Sequence, residues 1–193
     1  MQLPLPSHIN NNTIINAINP NKDVDGFHKN NMGSLLTNFA NIYPCTPLGI
    51  ITLLGSIDYS YIGKHAVIVG SSNIVGRPLA IELLNKGATI TICNSKTHDL
   101  KRITQLADLL IVAIGKPKFI TKEFINLHNN CVIIDVGINR LVDNTLCGDV
   151  DFIDVLPYVQ YITPVPNGVG PMTIAMLMQN TLKCYYLNNI NNL

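Results

Sequence analysis

From residue 65 onward, uninterrupted apolar runs alternate with segments of helical periodicity. HAVIV (65–69) is followed by LAIELLNK (79–86), ATITIC (88–93), DLLIVAIG (108–115) and CVIIDVG (131–137). A strand with no polar alternation has no solvent face. Runs of this kind, separated by helices, therefore predict βαβ units and a parallel sheet covered on both sides. Pro78 suits the first turn of the first crossover helix, where its missing N–H costs nothing, and Gly87 is its natural stop. A short helix is expected around residues 99–106, and KFITKEFINL (118–127) supplies a further crossover. YITPVPNGVGPMT (161–173) reads as a fifth short strand entering a Pro/Gly-rich loop, with a helix from about residue 174 to 186.

Upstream the pattern changes. MQLPLP reads as a strand-to-turn fragment, TIINAI (13–18) as a short helix and KDVDGFHKNNMG (22–33) as a polar, turn-rich loop. PCTPLGIITLLGSI (44–57) predicts a connecting helix with Thr46 as N-cap, Pro47 at the first position and an apolar face running to Leu54. The first forty-odd residues offer too little to bury a core of their own. The whole chain, 193 residues at 47% hydrophobic, suits one domain with or without an incomplete neighbour. The expected fold class is α/β, a doubly wound parallel sheet with the remnant of a second α/β domain.

A net charge of +1 without any Lys/Arg run argues against a nucleic-acid partner. No apolar run approaches the roughly 18 residues of a membrane span, and MQLPLPSH lacks the basic start and apolar middle of a secretory leader, so a soluble cytoplasmic protein is expected. Five cysteines without a Cys-x-x-Cys pair read as buried free thiols, and five dispersed histidines propose no metal.

In a doubly wound sheet the ligand lies beyond the carboxyl ends of the strands, and the first strand-to-helix turn offers backbone N–H groups to phosphate. Here that turn is GSSNIVG (70–76). Ser72 stands where a second glycine is usual, and the last glycine comes one place late. On pattern alone a dinucleotide loop and an ordinary tight turn with a serine cap are equally compatible. The end of the second strand, CNSKT (93–97), has no acid to accept a ribose 2′-OH, which leans toward NADP; the alternative is that Ser95 and Thr97 merely cap the next helix.

Four stretches in order resemble the bifunctional methylenetetrahydrofolate dehydrogenase/cyclohydrolase family, the FolD type. They are QLPLP (2–6), KDVDGF (22–27) with PCTP (44–47), VGSSNIVGRP (69–78) and ITPVPNGVGPMT (162–173), with GDVDF (148–152) in register. The likeness runs to about Thr181. It implies a Rossmann domain holding NADP at residues 46–171, a partial folate and catalytic domain at 1–45, and a C-terminal helix, 172–193, returning to it. Tetrahydrofolate derivatives would lie between them, and the family's members are typically homodimers through the Rossmann domain. The implied chemistry is oxidation of 5,10-methylenetetrahydrofolate to the methenyl form, then hydrolysis to 10-formyltetrahydrofolate.

The resemblance also assigns residues. Gln2 would orient the catalytic lysine through a neutral amide, with Leu3 beside it on the substrate. Asp25 would accept hydrogen bonds from the pterin ring, although a plain Asp-Gly turn is the other reading. Gly70, Ser71, Ser72, Ser95 and Ile138 match positions lining NADP. Pro166, Gly168, Gly170, Pro171 and Thr173 match the loop closing over folate and nicotinamide.

Three departures qualify the match. Asn167 replaces the first glycine of PVPGGVGPMT, the least costly substitution if positive φ is needed. Ser71 stands where some relatives carry an arginine for the 2′-phosphate, leaving Lys96 or Arg77 as candidate substitutes. The family's tyrosine and catalytic lysine lie several tens of residues before QLPLP, which here begins at residue 2. Lys22 and Lys29 follow that segment and do not match the missing position. The expectation is an N-terminally truncated member with impaired activity, the cyclohydrolase most of all; the alternative is a non-catalytic nucleotide-binding or dimerising remnant. A Rossmann enzyme sharing only the nucleotide half is disfavoured by KDVDGF and PVPNGVGPMT, which belong to the folate cleft.

Overall fold

The computed structural model describes residues 5–128 and 130–190. In chain order its elements are α1 (Asn11–Ala17), α2 (Lys29–Leu36), α3 (Cys45–Ser56), β1 (His65–Val69), α4 (Gly76–Asn85), β2 (Thr89–Cys93), α5 (Leu100–Thr104), β3 (Leu109–Val112), β4 (Val132–Asp135), β5 (Asn139–Arg140), β6 (Leu146–Cys147), α6 (Phe152–Val155), β7 (Tyr161–Ile162) and α7 (Val169–Ile190). Short 3-10 turns occupy Pro20–Lys22, Lys122–Phe124 and Leu156–Tyr158.

The apolar runs form one five-stranded sheet in the order β2-β1-β3-β4-β7, every pair parallel. From β1 the chain steps outward to β2, then crosses back to β3 on the other side of β1. The strand order thus reverses between β1 and β3, and the carboxyl ends of these two strands frame the crevice where such sheets bind ligands. One sheet face packs Ala66, Ile68, Leu109 and Ile111 against Ile50 and Leu54 of α3 and Leu79 and Leu83 of α4. The other packs Val67, Leu110, Val112 and Ile133 against Ile120, Ile125, Val150 and Val155. Burial on both faces is the reason β1, β3 and β4 carry no polar alternation, whereas the edge strand β2 alternates Thr with Ile and is only partly buried.

The first crossover ends as its sequence demands. Gly87 has φ +93°, its N–H bonds the Leu84 carbonyl at 2.9 Å, and the Ala88 N–H bonds the Leu83 carbonyl at 3.1 Å. This pairing of two orphan carbonyls through a left-handed residue needs glycine. Of the cysteines, Cys45, Cys93, Cys131 and Cys184 are buried and Cys147 partly so, all as free thiols.

Several local expectations are corrected. Residues 29–36 are helical, because the His28 ring Nδ1 accepts from the Asn30 N–H at 3.1 Å and so caps α2 with a side chain outside the usual set. In α3 the N-cap is Pro44; Thr46 and Pro47 lie inside the first turn, where proline still forfeits no bond. The 118–127 crossover holds a 3-10 turn but no α-helix, and residues 139–147 form a two-stranded hairpin that the sequence did not announce. Finally, α7 begins at Val169, about five residues early. Pro171, third in the helix, is tolerated because no intrahelical N–H bond is due there.

Candidate active site

Gly70 ends β1 with φ +125°, and a Cβ there would overlap the Ala113 carbonyl oxygen at the end of β3. A Cβ on Gly76 would overlap the Gly70 carbonyl oxygen. The two glycines thus bring the start of α4 onto the end of β1, so the late glycine performs the close-packing role at a spacing one residue longer than usual. Ser72 turns inward: its Oγ accepts from the Val75 N–H at 3.2 Å and from the Gly76 N–H at 3.4 Å. The N-cap of α4 is Val75, not Ser72, but the serine hydroxyl still takes up the first N–H of the helix whose N-terminus faces the crevice. Ser71 offers its carbonyl to Arg77 Nε at 3.1 Å, holding the exposed guanidinium over the loop.

At the end of β2, the Asn94 N–H donates to Thr97 Oγ1 and the Lys96 N–H to Asn94 Oδ1, each at 2.9 Å. These bonds close a tight turn and leave Ser95 and Lys96 exposed. Asp99 is the N-cap of α5, so Ser95 and Thr97 do not cap that helix. Cation and hydroxyl at the end of β2 fit a 2′-phosphate better than a bare ribose hydroxyl.

Beyond β4, Ile138 is 60% exposed and, with Gly137 and Leu146, faces residues 164–171 across a cavity of about 140 Å³. The 164–171 segment is tightly folded. The Val165–Pro166 peptide is cis, Asn167 adopts φ +75°, and a Cβ on Gly168 would overlap the Pro164 carbonyl oxygen. Asn167 accordingly occupies the left-handed conformation expected of the glycine it replaces. Ile138 Cδ1 would lie 3.5 Å from a Cβ on Gly170, so a side chain there would close the gap that the glycine leaves between the two walls.

Asp25 lies in a tight turn in which the Gly26 N–H bonds the Asp23 carbonyl at 3.3 Å, with Gly26 at φ +72° pressed against Tyr43 and Pro44. The plain Asp-Gly turn is present, and it does not use the Asp25 carboxyl. Asp23 is the buried organiser, accepting from the His28 N–H and from Asn31 Nδ2, both at 2.8 Å. The Asp25 carboxyl remains half-buried and unclaimed by an ion pair among the described residues, and desolvation raises its pKa. It meets the Cys45 thiol at 4.0 Å. One residue on, Thr46 Oγ1 sits 3.0 Å from Thr173 Oγ1. The first turn of α3 therefore brings Asp25 and Thr173 to one place. Gln2 and Leu3 lie outside the described residues.

Three contributors escaped the sequence reading. Asn180 of α7 is buried and donates from Nδ2 to the carbonyls of Val24 at 2.9 Å and Tyr43 at 2.8 Å, fastening the Asp25 turn to the last helix. Asp135 and Asp149, both buried, collect backbone amides around the Ile138 wall. The available signal was an acid closing the apolar run VIID and another inside GDVDF.

Comparison with known proteins agrees with this geometry. Residues 44–189 match the family model described as tetrahydrofolate dehydrogenase/cyclohydrolase, NAD(P)-binding domain. The chain is 58% identical over 184 residues to the bifunctional protein FolD of Polynucleobacter asymbioticus, covering 95% of this chain and 64% of that protein. It is 52% identical over 183 residues to the FolD protein of Bacillus anthracis, covering 95% and 63%. It thus spans somewhat under two thirds of the length of these relatives. Among solved structures, the bifunctional FolD methylenetetrahydrofolate dehydrogenase/cyclohydrolase of Campylobacter jejuni superposes with TM-score 0.93 at 49% identity, covering 97% of this chain and 66% of that one. A Trypanosoma brucei relative, complexed with NADP cofactor and inhibitor, superposes with TM-score 0.90 at 36% identity, covering 97% and 66%. With its glycine turn, its 164–171 loop and its Asp25 turn all in place on that fold, the chain belongs to the tetrahydrofolate dehydrogenase/cyclohydrolase family.

Proposed function

We propose that the chain carries the NADP-binding part and much of the folate-binding part of a methylenetetrahydrofolate dehydrogenase/cyclohydrolase. One observation carries the reading: Asp25 and Thr173 converge on the first turn of α3, while the glycine turn, Ser95 and Ile138 share the carboxyl edge of the sheet. A pterin acceptor and a dinucleotide groove then belong to one molecule.

In this reading Gly70, Ser71 and Ser72 bring the N-terminus of α4 to the pyrophosphate, and Ser95, with Lys96 and Arg77, meets the 2′-phosphate. Bound NADP supplies the hydride acceptor. Ile138 and residues 166–171, with Pro166, Gly168, Gly170 and Pro171, form the walls that orient the two reacting rings and exclude water. Asp25, held by the turn at residues 23–26, accepts the N–H groups of the pterin and fixes its plane. Gln2 and Leu3 are assigned to the same cleft by resemblance alone. Loss of hydride from the methylene bridge leaves the methenyl cation. Addition of water to that carbon, with transfer of one of its protons to N5 as the C–N5 bond breaks and net release of the other, then gives the 10-formyl product. The second step needs an acid/base group, worth about 10² to 10⁴ in rate. Neither Lys22, in the 3-10 turn, nor Lys29, at the start of α2, matches the family's lysine position.

The division into residues 1–45 and 172–193 for folate and 46–171 for NADP is part of the proposal. So is a homodimer through the dinucleotide half, supported by the β2 edge with Ile92 41% exposed. Free thiols support a reducing compartment such as the cytoplasm. The test is calorimetry with NADP and with a folate analogue, followed by the coupled assay. The expected result is NADP and folate binding, with dehydrogenation measurable and hydrolysis by these 193 residues alone far below that of a full-length relative. NADP binding without folate binding would favour a non-catalytic dinucleotide module; no binding of either would overturn the assignment.

A further inference from the structure

Asp135 is the last residue of β4, and its carboxylate, 3% exposed as a residue, is met by backbone N–H groups rather than by a cation. Oδ1 accepts from Gly137 at 3.1 Å and Asp149 at 2.9 Å, and Oδ2 from Val150 at 2.9 Å. Asp149, fully buried, continues the chain of contacts. Its Oδ2 accepts from the N–H groups of Ile114 at 2.7 Å and Gly115 at 2.9 Å; its Oδ1 accepts from the Lys116 N–H and from Asn139 Nδ2, both at 2.8 Å. Gly137 and Gly148 are each pressed against a carboxylate, Asp149 and Asp135 respectively, where a Cβ would overlap it. No other residue type fits at either place without shifting the acids.

The backbone of Asp135 reaches the opposite wall. Its N–H donates to Thr163 Oγ1 at 2.8 Å, and Thr163 packs beneath Gly168 in the 164–171 segment. One residue thus touches the loop after β3 through Asp149, the Ile138 loop through Gly137, and the substrate loop through Thr163.

We propose that Asp135 is a positioning residue for the dinucleotide pocket. Its carboxylate, acting with Asp149, sets the Ile138 wall and the 164–171 loop in a single arrangement, so that both walls form or loosen together. The ionised form is required, because a protonated carboxyl turns an O–H toward one of three amide donors. Burial raises the Asp135 pKa to about 6, against the lowering effect of the Val150, Asp149 and Gly137 amides. The groups facing it are Asp149 on the same relay, Cys147 on β6, and Lys118 and Asp151 around the adjoining cavity. The clamp is therefore complete above about pH 6 and loosens below it.

This inference rests on the pocket assigned above, so its first test uses no ligand. Hydrogen exchange of the full chain, corrected for intrinsic rates, is compared for wild type, Asp135→Asn and Asp143→Asn at pH 5 to 8. Asp143 lies on the exposed hairpin tip, where among the described residues its side chain bonds Thr145, so its variant serves as control. Loss of one charge-assisted hydrogen bond should speed exchange in residues 136–140 and in 164–168 by about tenfold or more in Asp135→Asn, with residues 65–69 unchanged. Wild type should show the same loosening of both segments as pH falls through 6, and Asp135→Asn no such step. Exchange that rises at 136–140 alone, or a pH step that survives in Asp135→Asn, would overturn the proposal. Should Asp135→Asn fail to fold, the wild-type step and its simultaneous appearance in both segments decide the question. NADP calorimetry follows, with Asp135→Asn as the reference for titration of the 2′-phosphate itself, whose second pKa is about 6: across the same pH range affinity should fall more steeply in wild type than in the variant. Coupled exchange without NADP binding at any pH would refute the assigned function and leave the coupling standing; NADP binding with uncoupled exchange would do the reverse.

Discussion

Glu82 provides the most quantitative prediction. It lies on the buried side of α4 at 4% exposure, and its Oε1 has no hydrogen-bond partner among the described residues. Desolvation pushes its pKa from an ordinary 4.5 up to about 8, even though Lys86, one turn along, pulls it down. Over most of that range the folded protein holds a proton that the unfolded chain has released. Stability is thus full below about pH 4.5 and falls as pH rises toward 8. Each pH unit removes about 1.4 kcal/mol, so the window amounts to roughly 5 kcal/mol. That is a third or more of the stability of an ordinary domain. Glu82→Gln keeps the shape and removes the titration. Urea denaturation at pH 5, 7 and 9 should find the two proteins within about 1 kcal/mol at pH 5, where both side chains are neutral. At pH 9 the glutamine variant should be more stable by several kcal/mol, up to about 5. Lys86→Met should extend the wild-type decline to still higher pH. Parallel pH profiles for wild type and Glu82→Gln would show that Glu82 is ionised in the folded state, and the reasoning would be wrong.

Two further substitutions probe the site. In Gly76→Ala the new methyl group meets the Gly70 carbonyl; the crowding should cost about 1–3 kcal/mol despite alanine's better helix propensity and weaken NADP binding in calorimetry, whereas unchanged affinity would refute the glycine contact as the determinant of the loop. Asn180→Leu strips the Val24 and Tyr43 carbonyls of their donor; unfolding should become easier by about 1–3 kcal/mol and folate binding should weaken more than NADP binding, with equal weakening of both counting against a local role.

The central strands were legible because burial on both faces erases polar alternation, a property visible within each run itself. The glycine turn was half legible. Gly70 and Gly76 stood out, but only the overlap of a Gly76 Cβ with the Gly70 carbonyl explains the longer spacing. Neither Ser72 nor Ser95 is an N-cap: Val75 holds that place before α4 and Asp99 before α5, although Ser72 Oγ does accept the N–H of Gly76, the first residue of α4. The start of α2 was hidden because its cap is a histidine ring, and that of α7 because Gly170 and Pro171 look like loop residues until their place in a first helical turn is known. Asp135, Asp149 and Asn180 were illegible for a different reason. Their partners are mostly main-chain groups brought near by the fold, so an acid at the end of VIID or inside GDVDF marks a position without naming what it binds.

The grip of Asn180 on Val24 and Tyr43 spans 156 and 137 positions. During synthesis the segment bearing Asp25 must wait, without its anchor, until Asn180 has itself left the ribosome. The sheet can close first, since its contacts fall largely between neighbouring crossovers, but the Asp25 turn is fastened only afterwards. Early polypeptide here is thus late structure, and proteases acting on nascent chains should cut first between α1 and α3.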